Sequence, residues 1–359
     1  MTERITRRAV LAALPTGLAA GIKSATKKAP PLPNVGEFFR FADAATEIPV
    51  VRLTNPATAS VLPAATNRFI SLKSRFLIFS SDRTGKATPF QLSLRTGALT
   101  NLENTAGLDT KSLCLDERGK IVYLLDRGTL KETTLANKRT RTLAENVNAF
   151  GLIGASEFVV VRQGRLEQLG RGIVAEDVGS WCLVRPGSKG CAFGRIGPTN
   201  EHEFWYVSLA NSGDAKPKLL AKGRIRNPFW SPDGQSLLLL RDVEVGNTLV
   251  SEIHEVCPET EKEGVVARTS QFAAFAPNGD ASVFVGASRS KAQPTIVLLI
   301  RSVQRELTLC EHRASDPASV DPVFSPDSRR VYFQSDHQGK SALYSVNVEL
   351  LVEPTSSAI

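Results

Sequence analysis

Four side chains of different chemistry stand six residues before a predicted turn in repeated segments of this sequence. They are Lys111, Asn227, Phe272 and Asp321, and the turn residues are Glu117, Asp233, Asn278 and Asp327. Residues at one offset in successive repeats face the same place at the same depth. Ammonium, amide and carboxylate groups can hold a polar ligand, and an aromatic ring can stack on its apolar face. We therefore predict a ligand site built from these four residues, with Glu203 as a fifth candidate.

The same four positions are poor in metal ligands. The chain has four histidines, and all of them lie elsewhere: His202, His254, His312 and His337. Without imidazole, and with Phe272 in one corner, the set does not suit a borderline transition metal. The five cysteines show no C-x-x-C spacing, so we predict no zinc site. Cys182 and Cys191 could pair in an oxidising compartment or be buried thiols in strands, and both alternatives stay open.

The turns that follow these residues predict the fold. Residues 229–240, 275–285 and 324–336 each combine a strand end, a turn of the Pro-Asp-Gly type and an apolar strand. Asp233, Asn278 and Asp327 are 45 and 49 residues apart, a spacing typical of propeller blades. No segment past residue 30 has helical periodicity. The sequence predicts an all-β, seven-bladed β-propeller, with six or eight blades as the alternatives.

The predicted blades span residues 65–104, 108–143, 146–177, 179–222, 224–266, 270–310 and 318–350. The last blade lacks an outer strand, and we predict that residues 38–53 supply it and so close the ring. The strand-end acids Asp82, Asp126 and Asp336 are interpreted as turn formers and not as general acids.

The N-terminus has the pattern of an export signal. Basic residues at 4–8 precede an apolar run over 9–22, and residues 6–11 read Thr-Arg-Arg-Ala-Val-Leu, the order of a twin-arginine signal. We predict a signal peptide over 1–25, a linker over 26–35, one propeller domain over 36–353 and a tail over 354–359. The predicted location is the periplasm or the exterior, with an uncleaved N-terminal anchor as the alternative.

Composition limits the partners. Of 359 residues, 42% are hydrophobic and 22% are charged, as in ordinary globular proteins. The net charge is +8, but the sequence has no basic block with interleaved aromatic residues, which argues against a nucleic acid as the partner. The apolar run at 9–22 is too short to span a membrane. We predict a monomer without an integral membrane span.

Several segments together resemble one enzyme family. They are residues 43–46 with 52–54, 185–187, 197–198, 229–234 and 324–344, the last of which includes Ser-Asp-His-Gln-Gly-Lys-Ser-Ala-Leu-Tyr. In order and spacing this set resembles the oligogalacturonate lyases, and the Ser-Pro-Asp-Gly turns are similar to the TolB-like, WD40-like propellers. The resemblance implies a seven-bladed propeller that cleaves pectin fragments by β-elimination. It also implies a divalent metal, typically manganese, held by three histidines and a glutamine.

The resemblance fails at the residues that would do this chemistry. Asn227 and Phe272 stand where the family has metal histidines, and the Gln-x-x-His-Pro-His segment reads Asp316 to Asp321 here. The arginine that assists proton abstraction falls on Glu203. Asp316 and Asp321 are weak candidates for a hard cation such as Ca²⁺, since two carboxylates fall short of six ligands. We predict no cofactor, and Mn²⁺ or Ca²⁺ only if lyase activity is retained.

Three functions remain open. The first is a binding propeller that has lost lyase chemistry and recognises an oligosaccharide or a periplasmic protein at the channel mouth. The second is an oligogalacturonate lyase with a rearranged site, in which Lys111, Glu203 or Asp321 takes a new role. The third is a TolB-like scaffold that binds proteins through its rim loops. The lost imidazoles favour the first over the second.

Overall fold

The computed structural model describes residues 36–187, 190–210, 216–269 and 271–355. The predicted signal peptide (1–25) and linker (26–35) lie outside these ranges. Across the described part of the chain, no helix is long and apolar enough to cross a membrane.

The described residues form 29 strands in seven antiparallel sheets and one short 3₁₀ helix, Pro317–Ser319. Two strands precede the first blade: β1 (Phe39–Ala42) and β2 (Pro49–Arg52). The first two blades are β3 (Ser60–Val61), β4 (Phe76–Ser81), β5 (Thr88–Ser93), β6 (Leu99–Asn101), and β7 (Cys114–Leu115), β8 (Ile121–Asp126), β9 (Thr129–Thr134), β10 (Thr140–Ala144).

The third blade contains β11 (Ala149–Ile153), β12 (Glu157–Arg162), β13 (Arg165–Gln168) and β14 (Gly172–Ala175). The fourth contains β15 (Cys182–Val184), β16 (Gly190–Ile196), β17 (His202–Ser208) and β18 (Lys218–Gly223). The fifth contains β19 (Ile225–Trp230), β20 (Leu237–Val245), β21 (Thr248–Val256) and β22 (Glu263–Thr269). The sixth is β23 (Phe272–Pro277), β24 (Val283–Ser288), β25 (Thr295–Ile300), β26 (Arg305–Glu311), and the seventh contains β27 (Val323–Phe324), β28 (Arg330–Ser335), β29 (Ala342–Asn347). The predicted all-β propeller of seven blades is confirmed.

The seventh blade is completed by the N-terminal strands, as the sequence predicts. Its order is β27-β28-β29-β2-β1, so it has five strands where four were expected. Val50 pairs with Val346 across β2 and β29. The register continues beyond the strand, because the Leu53 amide donates to the Leu343 carbonyl at 2.7 Å. The open edge of β29 is therefore covered by a segment nearly 300 residues away.

Apolar residues between the blades make the core. In the middle strands β8, β12, β24 and β28 most residues are buried, because both faces of an inner sheet pack against neighbouring blades. Tyr123 of blade 2 packs edge-on against Phe158 of blade 3, with ring centroids 5.0 Å apart, and Tyr206 of blade 4 packs in the same way against Trp230 of blade 5 at 5.9 Å. Contacts of this kind join adjacent blades.

Two of the innermost strands, β19 and β23, are irregular. In β19 the register shifts between Arg226 and Phe229, and in β23 it shifts between Phe272 and Ala274. Asn227 and Asp321 have φ values of 48° and 47°, a left-handed conformation that non-glycine residues adopt at some energetic cost. Such bulges break the regular alternation of a strand and so change the face on which a side chain lies.

The hairpin turns after these strands define the true repeat. The Ser231 amide donates to Ser236, that of Asn278 to Val283, and that of Ser325 to Arg330, each closing the same five-residue turn. Ser231, Asn278 and Ser325 are therefore equivalent, and they are 47 residues apart in both steps. The sequence pattern instead aligns Asn278 with Asp233 and Asp327, which stand two residues later in their own turns.

Candidate functional site

A central channel runs between the seven inner strands. Its half nearer the hairpin turns contains a cavity of about 710 Å³ lined from all seven blades, mainly by aliphatic and aromatic residues. Its charged lining residues are Arg68, Glu117 and Arg185. Arg185 is already engaged, because it donates to Glu259 and to the Gly234 carbonyl and lies over the Trp230 ring. The half of the channel where the inner strands begin contains Lys111 and Asp321.

Lys111 and Asp321, two of the residues that the sequence singles out, meet at this strand-start end. The Lys111 ammonium forms an ion pair with Asp321 Oδ2 and donates to the Leu62 carbonyl at 3.1 Å. Gln334 joins them: its Nε2 lies 3.5 Å from the same carboxylate oxygen, and its Oε1 accepts from the Leu62 amide at 2.7 Å. The structure thus links blades 1, 2 and 7 through one polar cluster, which we call the mouth cluster (Leu62, Lys111, Asp321, Gln334).

The mouth cluster is unevenly exposed. The Asp321 side chain is 18% exposed and that of Lys111 is 42% exposed. Burial raises the pKa of the Asp321 carboxyl, and the Lys111 charge opposes this rise without cancelling it. A ligand at the mouth would therefore meet an ammonium group above a partly buried carboxylate.

Asn227 lies at the same depth in blade 5. It stands four residues before Ser231, as Asp321 stands four before Ser325. Its side chain is half-buried and makes no hydrogen bond to the residues that the structure describes. By the same offset, the counterpart in blade 1 is Asn67, whose amide donates to the backbone carbonyls of Lys111 and Leu113. Asn67 is therefore already committed, whereas Asn227 is available to a ligand.

Phe272 does not line the channel. Its ring is fully buried and lies directly over Gly286, where a Cβ atom would approach within 2.4 Å of the ring. The reason is the two-residue offset of the Asn278 turn: the blade 6 residue equivalent to Asn227 and Asp321 is Ala274. The expected aromatic stacking surface at this position is absent, and Phe272 serves the core.

Glu203 lies away from the channel, on the third strand of blade 4. Its Oε2 accepts from Trp205 Nε1 at 2.8 Å and from Arg195 Nε at 3.1 Å. These bonds hold the pKa of the carboxyl below its usual range. The Arg195 guanidinium also stacks on the Trp205 ring at 3.8 Å. Glu203 therefore anchors a structural Arg–Trp stack, and the structure does not bring it to the mouth cluster.

The residues at the mouth do not fit the metal that the resemblance implies. Asp321 already has Lys111 as its cation, and Asp316 is the N-cap of the 3₁₀ helix, accepting from the Ala318 amide at 3.0 Å. His312 is fully buried with both ring nitrogens bonded, to the Ser288 carbonyl and to the Ala314 amide. Across the described ranges, no three His, Cys, Asp or Glu side chains are grouped as metal ligands.

Sequence reasoning missed Gln334 and two arginines, Arg226 and Arg289. Gln334 is 5% exposed within β28, a strand whose residues are all buried. A glutamine directly after the apolar run 331–333 is the signal that could have found it, because buried polar groups need partners. Arg226 directly precedes Asn227, but its partner Asp242 comes from another strand, and nothing in the spacing indicates that contact.

Cys182 and Cys191 lie on adjacent strands of blade 4, in diagonal positions, since Cys182 pairs with Phe193 and Val184 pairs with Cys191. Both thiols are free and buried, and burial raises the pKa of Cys191 well above its usual value. Cys182 also lines the central cavity.

No protein-family model and no curated protein matches this chain. Several solved structures do match this chain. An oligogalacturonate lyase in complex with manganese matches with a TM-score of 0.75 at 19% identity, over 86% of this chain and 96% of that one. The oligogalacturonate lyase of Vibrio parahaemolyticus matches with a TM-score of 0.75 at 18% identity, over 87% and 96%.

TolB from Acinetobacter baumannii matches more distantly, with a TM-score of 0.47 at 10% identity over 81% of this chain and 63% of that one. At these identities the lyase matches concern the fold. In its described residues the chain is a seven-bladed β-propeller with the fold of the oligogalacturonate lyase structures.

Proposed function

We propose that this protein is an exported binding propeller that takes an oligosaccharide at the strand-start mouth of its channel. The observation that carries the proposal is the mouth cluster: Lys111, which is 42% exposed, stands over Asp321 at the channel mouth. Asn227 offers an unoccupied amide at the same depth. Ammonium, carboxylate and amide groups around one opening provide the donors and acceptors that sugar hydroxyls need.

Binding is favoured over catalysis because no base is free among the described residues of the mouth cluster. β-Elimination needs a group that removes a proton next to a carboxylate and a cation that stabilises the charge that develops. Asp321 is paired with Lys111, and the histidines of the described residues lie elsewhere. The likeness to lyase structures keeps a lyase with a rearranged site, using Lys111 and Asp321, as the second candidate.

Two measurements on the chain from Thr26 separate these candidates. Calorimetric titration with trigalacturonate and with a neutral galacto-oligosaccharide tests binding, and ultraviolet absorbance of unsaturated uronate tests lyase activity with Mn²⁺, with Ca²⁺ and with chelator. We expect saturable binding without product. Metal-dependent product would establish the lyase, and a folded protein that binds neither sugar would overturn the proposal.

A variant series places the ligand within the channel. Asn227→Asp keeps a residue type that tolerates the left-handed conformation but removes the amide donors, so we expect about tenfold weaker sugar binding. Lys340→Met is the control, because Lys340 pairs with Asp82 at the rim. Equal affinity of the wild type and Asn227→Asp would place the ligand elsewhere.

Export is the other part of this proposal. If residues 1–25 act as a twin-arginine signal, replacing Arg7 and Arg8 together by lysine should retain the full-length precursor in the cytoplasm. Fractionation followed by immunoblotting measures this, and the wild-type chain should yield a shorter product outside the cytoplasm. Equal export of both chains would show that another route is used.

A further inference from the structure

Two arginines converge where blades 5 and 6 adjoin, at the strand-start side of the ring. Arg226, on β19, and Arg289, just after β24, both donate through Nη2 to the Phe272 carbonyl oxygen, at 2.8 and 3.0 Å. Both also donate to Ser251 Oγ. Asp242 accepts from each of them, through Oδ2 from Arg226 and through Oδ1 from Arg289 at 3.0 Å. Two guanidinium groups thus share three acceptors.

Among the residues that the structure describes, this arrangement has two arginines and one carboxylate partner, so one positive charge is uncompensated. Burial opposes ionisation of Asp242, but hydrogen bonds from Arg226 and Ser251 and the charge of Arg226 hold the pKa of the carboxyl below its usual range. Asp242 is therefore ionised and balances one arginine. The side chains of Arg226 and Arg289 are 29% and 32% exposed, so an incoming group can reach them. Because like charges repel at this separation, a bound anion would stabilise the pair.

This cluster stands where another blade has a carboxylate that braces its loop. The backbone amides of Asp82, Asp242 and Arg289 occupy equivalent positions, since each donates to the carbonyl of the loop before its own inner strand. In blade 1 the Asp82 carboxylate also accepts from the Ala59 amide at 2.8 Å and so braces that loop. Asp242 accepts no backbone amide among the described residues, and blade 6 has an arginine at the position. Blades 5 and 6 therefore depart from the bracing arrangement of blade 1.

Donors remain free at this site. Neither Nε nor Nη1 of Arg289 bonds to any residue in the described ranges. Arg226 directly precedes Asn227, so the pair adjoins the channel mouth. Partly exposed guanidinium groups are well suited to oxyanions, which accept several N–H bonds at once.

We propose that Arg226 and Arg289 form a subsite for one singly charged oxyanion group, a carboxylate or a sulfate ester. The single uncompensated charge matches a monoanion better than a dianion. The inference deepens the proposed function, on which it rests, by assigning one charged substituent to the ligand of the channel mouth.

The test uses small monoanions, so that it does not depend on sugar binding. The arginine Nε–H resonances of the ¹⁵N-labelled chain from Thr26 are titrated with acetate and with methanesulfonate against chloride at constant ionic strength. We expect saturable shifts at Arg226 and Arg289, and the tighter anion identifies the substituent as carboxylate or sulfate. In Arg289→Gln, which keeps the Arg226–Asp242 ion pair, affinity should fall roughly 10- to 100-fold.

Arg313→Gln is the matched control, because Arg313 forms its own exposed pair with Glu311 on the same side. It should bind the anions as the wild type does. Shifts that stay linear with concentration in the wild type, or equal affinity in Arg289→Gln, would overturn the subsite. Anion binding without sugar binding would support the subsite and contradict the proposed oligosaccharide. A circular dichroism spectrum of each variant confirms the fold.

Discussion

A chain that begins at Asn55 should fail to form a stable monomeric propeller. It lacks β1 and β2, and with them Val50, Val51 and Leu53, which are 2%, 6% and 0% exposed. Burying side chains of this size contributes about 1.5–3 kcal/mol each, so the loss is roughly 5–9 kcal/mol. That is comparable with the whole stability of an ordinary domain, about 5–15 kcal/mol. Thermal unfolding and size-exclusion chromatography measure the result.

The exposed edge adds a second effect to the lost burial. Without β2, the backbone groups of β29 that pair with Val50 and Arg52 are open, and open edges pair with other chains. We therefore expect aggregation as well as a lower unfolding temperature. The control chain begins at Gly36 and keeps both strands, and addition of a peptide of residues 36–54 should partly restore the truncated chain. A truncated chain that is monomeric and unfolds at the control temperature would contradict this account.

Breaking the Lys111–Asp321 ion pair should have the largest effect of any point change at the channel mouth. In Lys111→Met the Asp321 carboxylate stays partly buried without its cation, which costs about 1–3 kcal/mol at neutral pH. This cost is smaller than that of breaking a fully buried pair, because Lys111 is 42% exposed and water screens it. Asp321→Asn leaves only an exposed ammonium and should be nearly neutral. The double variant should recover most of the loss.

The effect of pH follows from the direction of the Asp321 pKa. Because the folded pKa is raised above the usual value of 3.8, the folded state binds this proton more tightly than the unfolded state does. Protonation of Asp321 therefore contributes fully to the stability of the folded state below pH 3.8, the usual pKa of the carboxyl. This contribution is lost as the pH rises through the raised pKa of the folded state. Lys111→Met raises the pKa further, so its deficit should be large at pH 7 and should disappear at acidic pH.

Urea unfolding of the four proteins at neutral and acidic pH measures this cycle. Asp321→Asn should remove the added pH dependence, and the coupling energy between the two positions should shrink as Asp321 is protonated. An equal deficit of Lys111→Met at both pH values would mean that the lysine acts through packing and not through its charge.

The architecture could be predicted because its causes are local. Pro-Asp-Gly turns and apolar strands recur within each blade, and the missing outer strand follows from counting strands. Blade closure by residues 38–53 was therefore predictable, although the additional strand β1 was not. Its residues Phe39 and Arg40 are exposed and give no core pattern.

The site was harder to predict because one residue of register decides which side chain faces the channel. Asn278 occupies the turn position of Ser231 and Ser325, yet its sequence context, Pro-Asn-Gly-Asp, imitates Pro-Asp-Gly. The two-residue error moved the prediction from Ala274 to Phe272, which is fully buried. Lys111 and Asp321 lie at one end of the channel, but their contact with each other and with Gln334 depends on loops from three blades.

The pairing of Val50 with Val346 also sets the order of events in folding. Contacts between residues so far apart in sequence form late, because closing a long loop is entropically unfavourable until other blades are in place. When the ribosome has synthesised six blades, the N-terminal strand β2 has already emerged, but its partner β29 has not yet been made. The ring can close only after β29 has emerged, so an early-made segment must wait, unpaired, for the last blade. Residues 38–53 are therefore the part of this protein most in need of protection during synthesis.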